Sequence, residues 1–551
     1  MKFSNKVVYQ IYPRSFYDSN GDGLGDIRGI IEKLDYVASL GVDYIWSTPF
    51  FVSPMKDNGY DVADYCKIDP RFGTMADVEE LIAEAKKRGL SLMFDMVLCH
   101  TSGQHEWFQR ALAGDKKYQG YYILCDGRNK KSEDDSGEPP TNWQCAFGGS
   151  AWQWEPRLKK WYLHLHDVSQ PDLDWTNPKV REELANVVRF WKDKGVRGFR
   201  FDVINLISKP EIFEDDTEGL GRKLFADGPH VHEYLKELVK NAGIEGMITV
   251  GEMASTDLKN CLVYTNPDAH ELSMAFSFHH LKVDYKDGDK WSLMPADIPA
   301  LKKLFETWQV GMEHGGGWNA VFWCNHDQPR AVSRFCDDGK FHDESAKMLA
   351  AAIHFMRGTP YIYQGEELGM TNAKFTSIEQ YRDVESLNYY KILREAGKSE
   401  EDALKIIGER SRDNSRTPMQ WSAEKFAGFS SVEPWISSPD NFKTFNVETE
   451  QRDENSVLNF YKKLVRLRKT KKIIADGAIE FIERENPDVL AYRRTLGEEI
   501  LIVLCNFRDS ESALYEKNFA SYSAQGFKKI LGNYDGLAEN LRPFEVVVLE
   551  K

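Results

Sequence analysis

The chain has 551 residues, with 71 Lys and Arg against 86 Asp and Glu, which gives a formal net charge of −15 at pH 7. That acidic balance argues against a nucleic-acid-binding protein, because such proteins normally carry a basic surplus. Hydrophobic residues make up 42% of the chain, enough for a large globular core. No apolar run approaches the roughly 18 residues of a membrane span, and the first residues lack the apolar stretch of a secretory signal.

In chain order, short apolar strands alternate with amphipathic helices. The predicted strands cover 7–13, 44–49, 92–97, 198–204, 247–253, 272–278, 320–326 and 360–367. The predicted helices between them lie at about 27–40, 75–89, 179–194, 230–242, 297–310 and 343–356. Eight strands separated by helices predict an α/β fold of the (β/α)8 TIM-barrel type, whereas a sandwich would show closely spaced strands without helices between them.

Two regions do not follow this alternation. The gap after the third strand is too long for one helix and contains a charged, Gly-rich stretch at 126–140, so it predicts a small inserted domain at 101–172. From about residue 475, strand patterns at 479–484, 490–495, 499–507 and 544–550 predict a C-terminal antiparallel β-sandwich. The predicted domains are therefore a barrel (1–100 and 173–474), the insertion (101–172) and the sandwich (475–551), with a second barrel elaboration at 371–435.

The eight cysteines are scattered and form no CxxC pair, which argues against a disulfide scaffold or a structural zinc site. Free thiols and the missing signal predict a cytoplasmic protein. We expect neither a nucleic-acid partner nor a membrane. The sequence does not set the oligomeric state, and a monomer is compatible with it.

Three carboxylates end predicted strands. Asp202, Glu252 and Asp327 close the fourth, fifth and seventh strands. Because barrel enzymes keep catalytic groups at the C-terminal ends of strands, these side chains are expected to meet at one rim. One such residue is often just a strand running into a loop, but three at matching positions indicate an active site. The adjoining polar residues are Arg200, His326 and His100, the last in a segment that also contains Asp95.

Four segments carry a family resemblance. GFRFD (198–202), GEM (251–253), NHD (325–327) and DMVLCH (95–100) resemble the hallmark regions of the α-amylase-type glycoside hydrolases. QPDLD (170–174) resembles a marker of the oligo-1,6-glucosidase branch. The resemblance covers essentially the whole chain and implies retaining hydrolysis by two carboxyl groups about 5 Å apart.

The resemblance implies a role for each residue. Asp202 would be the nucleophile, and Glu252 the general acid and then the base, so the surroundings of Glu252 should raise its pKa. Asp327 would orient sugar hydroxyls and favour the oxocarbenium-like transition state. Arg200 would keep Asp202 ionised. His100 and His326 would donate hydrogen bonds to glucose hydroxyls.

DNGY (57–60) resembles a further family element. Asp57 would bind the outer hydroxyls of the terminal glucose, and Tyr60 would stack beneath its ring. Arg416 would pair with Asp57 and close the pocket, which implies attack from the non-reducing end. The alternative is a plain turn and a surface arginine.

The loop DSNGDGLGD (18–26) predicts a structural calcium or magnesium ion, because oxygen-bearing side chains alternate with glycines. The resemblance implies that its ligands are Asp18, Asn20, Asp22, Asp26 and the carbonyl of Leu24. The alternative is a plain Asp/Gly turn. A second calcium site, known in some relatives, is doubtful because Cys99 replaces the usual Asn. No organic cofactor is expected.

Val203 resembles members of the branch that cleave α-1,6 or α-1,1 bonds. FSFHHLKVDYKDGDKW (276–291) is similar to the members that hydrolyse trehalose 6-phosphate, whereas oligo-1,6-glucosidases carry acidic residues near His279 and Lys282. We expect Lys282 and Lys290 to supply charges to a phosphate, with His280 as a hydrogen-bond donor. The alternative is a solvated Lys-containing loop.

The sequence therefore predicts a retaining, exo-acting hydrolase that splits the α-1,1 bond of trehalose 6-phosphate into glucose and glucose 6-phosphate. The alternative is an oligo-1,6-glucosidase or dextran glucosidase acting on uncharged isomalto-oligosaccharides. A sucrose isomerase is disfavoured by the missing arginine-rich loop motif. A non-catalytic barrel, such as a transporter heavy-chain ectodomain, is disfavoured by the three carboxylates. His166 and His230 depart from the usual Phe and Arg, and either would alter the leaving-group side of the pocket.

Overall fold

Eight parallel strands close into a barrel in the computed structural model, which describes residues 3–132 and 134–551. The strands are β1 (Val8–Ile11), β2 (Tyr44–Ser47), β3 (Ser91–Met96), β4 (Gly198–Phe201), β5 (Ile248–Glu252), β6 (Met274–Phe276), β7 (Asn319–Val321) and β8 (Thr359–Tyr363). β1 completes the ring by pairing in parallel with both β2 and β8. The predicted (β/α)8 barrel is confirmed.

Helices cover the outside of the barrel. They are Ile27–Glu32, Leu34–Ser39, Met75–Lys87, Pro178–Lys194, Val231–Ala242, Leu258–Thr265, Ile298–His314, His342–His354 and Val457–Thr470. Local sequence sets their limits. In Pro178–Lys194, for example, the Asn177 side chain accepts from the Lys179 N–H at the start, and Gly195 ends the helix with a φ of +112°. With helices outside and side chains filling the interior, the strands are almost entirely buried.

The segment between β3 and Pro178–Lys194 holds a small sheet of its own. Its antiparallel strands are Leu124–Cys125, Trp152–Glu155 and Lys160–Leu163, and two short helices, Glu106–Leu112 and Lys116–Gln119, precede them. After β8 the chain adds Val384–Glu395, Glu400–Arg410, Asp413–Arg416 and Val447–Arg452. The domain limits given above stay predictions.

The C-terminal region forms one antiparallel sheet. Its strands are β9 (Ala478–Ile482), β10 (Val489–Leu496), β11 (Glu499–Asn506), β12 (Lys528–Gly532) and β13 (Val546–Glu550), in the order β9-β10-β11-β13-β12. The antiparallel architecture is as predicted, but the described strands form a single sheet and not the two sheets of a sandwich.

Helices, not strands, cover both faces of this sheet. Alternate residues such as Tyr492 and Val503 pack into the barrel core, where the Tyr492 hydroxyl donates to the Ala352 carbonyl at 2.8 Å. Their neighbours Ala491 and Leu504 pack with the helix Phe519–Ala524. Both faces are therefore buried without a second sheet.

The eight cysteines are all free, as predicted. Within residues 3–132 and 134–551, no helix combines the length and apolar character needed to cross a bilayer.

Candidate active site

Arg200 brings three carboxylates together at the C-terminal rim of the barrel. It is the third residue of β4, and its side chain is 1% exposed. Nη1 donates to Asp95 Oδ1 at 2.7 Å and to Asp202 Oδ1 at 2.6 Å. Nη2 contacts Glu252 Oε2. β3, β4 and β5 are neighbours in the barrel, so the ends of these strands deliver Asp95, Asp202 and Glu252 to one guanidinium.

This cluster favours a proton on Glu252. Burial raises the pKa of Glu252 to about 8; the charge of Arg200 opposes the shift, while Asp202, Asp327 and Asp95 add to it. Burial also raises the pKa of Asp95 to about 7 against the pull of Arg200, with Asp202 adding to the rise. The raised pKa of Glu252 agrees with the requirement for a general acid.

Asp95 is a residue whose contribution the sequence did not assign. Besides its contact with Arg200, its Oδ2 accepts from the Trp46 indole N–H at 3.1 Å and the Tyr60 hydroxyl at 2.9 Å. It lies inside the segment 95–100, so the signal was present. Its role emerges only when the strands are side by side.

Asp327 is held by cations. Arg416 Nη2 lies 2.7 Å and Arg412 Nη1 3.3 Å from its Oδ1, and His326 Nε2 lies 3.2 Å from its Oδ2. Burial raises the pKa of Asp327, but His326, Arg412 and Arg416 outweigh that effect and hold it well below its usual range. Asp327 is therefore a fixed negative charge in the site.

The predicted partner of Asp57 is wrong. Arg412 Nη2, not Arg416, lies 3.2 Å from Asp57 Oδ1, while Arg416 contacts Asp327 and lies 3.5 Å from Asp383. The two arginines are four residues apart around the short helix Asp413–Arg416, so both point into one carboxylate cluster, and spacing alone does not assign partners. Burial raises the pKa of Asp57 to about 7, against the pull of both arginines.

Aromatic and polar side chains surround the carboxylates and arginines described above. The Tyr60 ring stacks on His326 with centroids 5.1 Å apart and an interplanar angle of 5°. His326 Nδ1 lies 2.8 Å from Gln10 Nε2. Gln170 Nε2 links His100 Nε2 and Asp57 Oδ2, each at 3.1 Å. Of the predicted site residues, Tyr60, His100 and His326 are therefore brought into one buried group with the carboxylates.

One cavity of about 570 Å³ joins this group to the surface. Glu252 and Asp327 line its inner end. Lys282 and Lys290, the two predicted phosphate-binding lysines, line it as well, together with Arg222, which sequence reasoning missed. Arg222 follows no predicted strand and belongs to no recognised motif, so no sequence pattern marks it as a site residue.

The three residues predicted to bind phosphate lie in different environments. Lys282 is exposed, and within residues 3–132 and 134–551 no carboxylate oxygen lies within ion-pair distance of it. Lys290 Nζ donates to Glu385 Oε2 at 2.6 Å, so its charge is already balanced.

The expectation for His280 is wrong. Its Nε2 lies 2.8 Å from the Phe322 carbonyl oxygen, and its ring packs against Phe305 and Trp323. Burial lowers its pKa to about 4. The short 3-10 helix His279–Lys282 points the adjacent His279, and not His280, into the cavity.

The predicted cation loop is tightly hydrogen-bonded. Asp18 Oδ1 accepts from the Gly21 N–H at 2.7 Å, and Asn20 Oδ1 from the Asp22 N–H at 2.9 Å. Asp22 Oδ1 accepts from the Leu24 N–H at 2.9 Å. Asp26 accepts from the Ser19 N–H and hydroxyl within the loop and also caps the helix Ile27–Glu32 through the Gly29 N–H at 2.6 Å.

An ammonium group lies beside Cys99. Lys209 Nζ lies 2.9 Å from Asp172 Oδ2 and 3.7 Å from Cys99 Sγ. The ligand atoms of Cys99, His100 and Asp172 lie close enough together to hold a metal ion, but the charge of Lys209 already balances Asp172. A cation bound by Asp172 would therefore compete with the Lys209 ammonium group.

The two histidine departures lie apart. His166 lines the cavity, with its ring centroid 5.0 Å from that of His100, and burial lowers its pKa to about 4. His230 is near the surface, where its Nδ1 lies 3.2 Å from Glu233 Oε2. Of these two histidines, therefore, only His166 lines the cavity.

Comparison with known proteins gives the family. Residues 10–477 match the family model described as "Alpha amylase, catalytic domain". The trehalose-6-phosphate hydrolases of Bacillus subtilis (strain 168) and Escherichia coli (strain K12) are each 49% identical to this chain, covering 98% and 99% of it and 97% and 98% of the relatives. The oligo-1,6-glucosidase of Bacillus cereus is 46% identical, covering 100% of this chain and 99% of the relative.

A solved structure shows the same likeness. The crystal structure of Bacillus licheniformis trehalose-6-phosphate hydrolase is 49% identical, with a TM-score of 0.93 over 100% of this chain and 99% of that chain. Family model, relatives and fold agree with the resemblance of the four motif segments. The chain belongs to the α-amylase family of glycoside hydrolases.

Proposed function

We propose that this protein hydrolyses trehalose 6-phosphate at its α-1,1 bond, with retention, to give glucose and glucose 6-phosphate. The observation that carries the proposal is a single cavity lined by Glu252, which Arg200 joins to Asp202, and farther out by Lys282, whose ammonium group has no ion-pair partner in the described part of the chain. The relatives that bear the name trehalose-6-phosphate hydrolase support it.

In the first step, an Asp202 oxygen forms a bond to the anomeric carbon of the unphosphorylated glucose. The bond to the bridging oxygen breaks, and that oxygen takes the proton of Glu252, so glucose 6-phosphate leaves neutral at the new hydroxyl. Arg200 donates to both carboxyl groups and therefore keeps them close together, which supports the short separation of a retaining pair.

In the second step, Glu252 is ionised and acts as a base. It takes a proton from water while the water oxygen attacks the anomeric carbon, and the bond to Asp202 breaks. Glucose leaves, and both carboxyl groups return to their starting states. Arg200 favours the ionised form of Glu252 during this step, whereas burial favours its protonated form.

The buried inner end fits one terminal glucose. Asp327 with Arg416 offers a fixed negative charge to hydroxyl groups, Asp57 with Arg412 offers a carboxyl group, and His100 and His326 offer imidazole nitrogens. We propose that Tyr60 forms the floor beneath the sugar ring. A pocket closed by ion pairs supports attack at a chain end and not in the middle of a polymer.

The outer end supports a charged leaving group. In a protein with a net charge of −15, a phosphate needs local cations, and Lys282 supplies one. Because Lys290 is paired with Glu385, we expect Lys290 to contribute less than Lys282 to phosphate binding. The alternative, an oligo-1,6-glucosidase, is favoured by the 46% identical relative, but an unpaired lysine brings no gain for an uncharged sugar.

We further propose a structural divalent cation in the loop 18–26, held by Asp18, Asn20, Asp22 and the Leu24 carbonyl, with Asp26 as the remaining oxygen donor. The alternating side-chain oxygens and the left-handed glycines Gly21 and Gly23 support this proposal. Calcium would stabilise the fold and take no part in the hydrolysis.

Free cysteines and a phosphorylated substrate support a cytoplasmic location.

The products test the proposal directly. Proton NMR during digestion of trehalose 6-phosphate is expected to show α-glucose first, with β-glucose appearing only by mutarotation, and one equivalent of glucose 6-phosphate. Immediate β-glucose would contradict retention. Absence of turnover, with rapid cleavage of isomaltose, would establish the alternative.

A further inference from the structure

In the part of the chain that the structure describes, two cations at the outer end of the cavity have no carboxylate within ion-pair distance. Arg222, Lys282 and Lys290 are the arginine and lysine residues that line this cavity in the described parts of the chain. Lys290 is balanced by Glu385 at 2.6 Å. Neither Arg222 nor Lys282 has an ion pair or side-chain hydrogen bond within residues 3–132 and 134–551. Asp287 and Asp289 also line the cavity, but no described carboxylate lies within ion-pair distance of these two positive charges.

The backbone before Arg222 is fixed. Gly221 has a φ of +88°, and a Cβ atom there would lie 2.6 Å from Cγ of Trp143, so only glycine fits. The Asp216 carboxylate accepts from the Gly221 N–H at 2.8 Å. Phe225, at the end of the short helix Arg222–Phe225, packs with its ring centroid 5.5 Å from that of Trp143. The turn that bears the Arg222 side chain is therefore held in place by this hydrogen bond and by packing against Trp143.

The two cations are near enough to act on each other. Burial lowers the pKa of Lys282, and the positive charge of Arg222 lowers it further. The positive charge of Arg222 also opposes the rise that burial causes in the pKa of the Tyr389 hydroxyl. The Tyr389 ring, which lines the cavity too, stacks on Trp291 with ring centroids 4.5 Å apart. Like charges placed together cost free energy, and a dianion between them removes that cost.

We propose that Arg222 is a specificity-determining residue, which binds the phosphate group of the substrate together with Lys282. A guanidinium offers two parallel N–H donors to a phosphate, and Lys282 adds a point charge. Lys290, paired with Glu385, holds the loop and contributes little binding. This inference rests on the proposed function, because it assumes a phosphorylated leaving group at this end.

The test compares Arg222→Gln with Lys223→Gln. Lys223 is the next residue of the same helix, is exposed, and pairs with Glu218 at 3.1 Å outside the cavity, so it is a matched control for the charge change. Trehalose 6-phosphate and p-nitrophenyl α-glucoside are the two substrates. We expect Arg222→Gln to lower kcat/KM on the phosphorylated sugar by roughly 10- to 100-fold, mainly through KM. The kcat/KM of Arg222→Gln on the aryl glucoside should equal that of the wild type. Lys223→Gln should keep the wild-type kcat/KM on both substrates.

Inorganic phosphate is the second probe. It should compete with trehalose 6-phosphate in the wild type, and less strongly in Arg222→Gln. An Arg222→Gln variant that keeps wild-type KM, in an enzyme that prefers the phosphorylated sugar, would overturn this inference alone. Equal losses on both substrates would also overturn it, since they would indicate a structural role. A wild type that prefers isomaltose would instead overturn the proposed function.

Discussion

The two ends of the cavity are built differently. At the inner end, the charged side chains are buried or partly buried and are paired: Arg200 contacts three carboxylates, and Asp327, whose side chain is 28% exposed, contacts two arginines and His326. At the outer end, Arg222 and Lys282 are exposed and unpaired within the described chain. The inner end lies on strand ends, whereas the outer end lies on short helical turns in loops.

This difference separates chemistry from specificity. A side chain with several buried partners has one available position, so it can hold a reacting atom in place. A side chain without a counter-ion has free energy to gain from an anionic ligand. Changes at the inner end should therefore reduce turnover of every substrate, and changes at the outer end should affect phosphorylated substrates alone.

Asp202→Asn should have the largest effect. Loss of the nucleophile is expected to lower kcat by at least about 10⁴-fold on phosphorylated and aryl substrates alike. The amide keeps the shape of the side chain, so circular dichroism and Tm should stay near those of the wild type. Residual activity above a tenth of the wild type would show that another residue attacks the sugar.

Glu252→Gln should come next, with a loss of about 10²- to 10⁴-fold on trehalose 6-phosphate. The loss should be smaller on p-nitrophenyl α-glucoside, because its leaving group needs no proton. In the wild type, kcat/KM should be retained below pH 8 and fall above it, since the pKa of about 8 means that Glu252 loses its proton there. A profile that stays flat to pH 9.5 would remove Glu252 as the acid.

Lys282→Gln and Lys290→Gln form a matched pair at the outer end. Lys282→Gln should lower kcat/KM on trehalose 6-phosphate by roughly 10- to 100-fold, whereas Lys290→Gln should cost less, because Glu385 already neutralises Lys290. Steady-state kinetics at two salt concentrations would check this, since screening should weaken the effect of the exposed lysine. Equal losses for the two variants would break the distinction drawn between them.

The smallest effect is expected at the loop 18–26, outside both ends. Calcium should raise Tm by a few degrees over EDTA without changing kcat, because binding to the folded state alone stabilises it. Asp22→Asn should reduce this shift. Identical melting curves with calcium and EDTA, in wild type and variant, would show that the loop is a plain turn.

Sequence reasoning succeeded where pattern and chemistry coincide. Alternating strands and helices predicted the barrel, and carboxylates at strand ends predicted that Asp202, Glu252 and Asp327 would lie near one another. It failed where side-chain direction decides. Arg412 takes the place predicted for Arg416 beside Asp57, because both arginines face one cluster. His280 points inward because a 3-10 turn directs its neighbour His279 to the cavity.

Other features left no readable signal. Arg222 stands in a loop without periodicity, and its place at the cavity depends on how Gly221 packs on Trp143. The residue pattern of the C-terminal strands is the one a sandwich would show, because both faces of the sheet are buried. A helix covers one face, and the pattern does not distinguish burial under a helix from burial under a second sheet. The strand Lys528–Gly532 was missed because two lysines begin it.

The most direct test of the account is kcat/KM on trehalose 6-phosphate and on isomaltose, measured side by side with the same wild-type preparation. Both substrates present a terminal α-glucosyl unit to the inner end, but they differ in linkage, α-1,1 against α-1,6, and in the phosphate that only trehalose 6-phosphate presents to Arg222 and Lys282. We predict that the phosphorylated sugar is preferred by more than about 100-fold, roughly 2.7 kcal/mol of transition-state discrimination. A preference for isomaltose would leave the carboxylate chemistry intact but contradict phosphate recognition at the outer end.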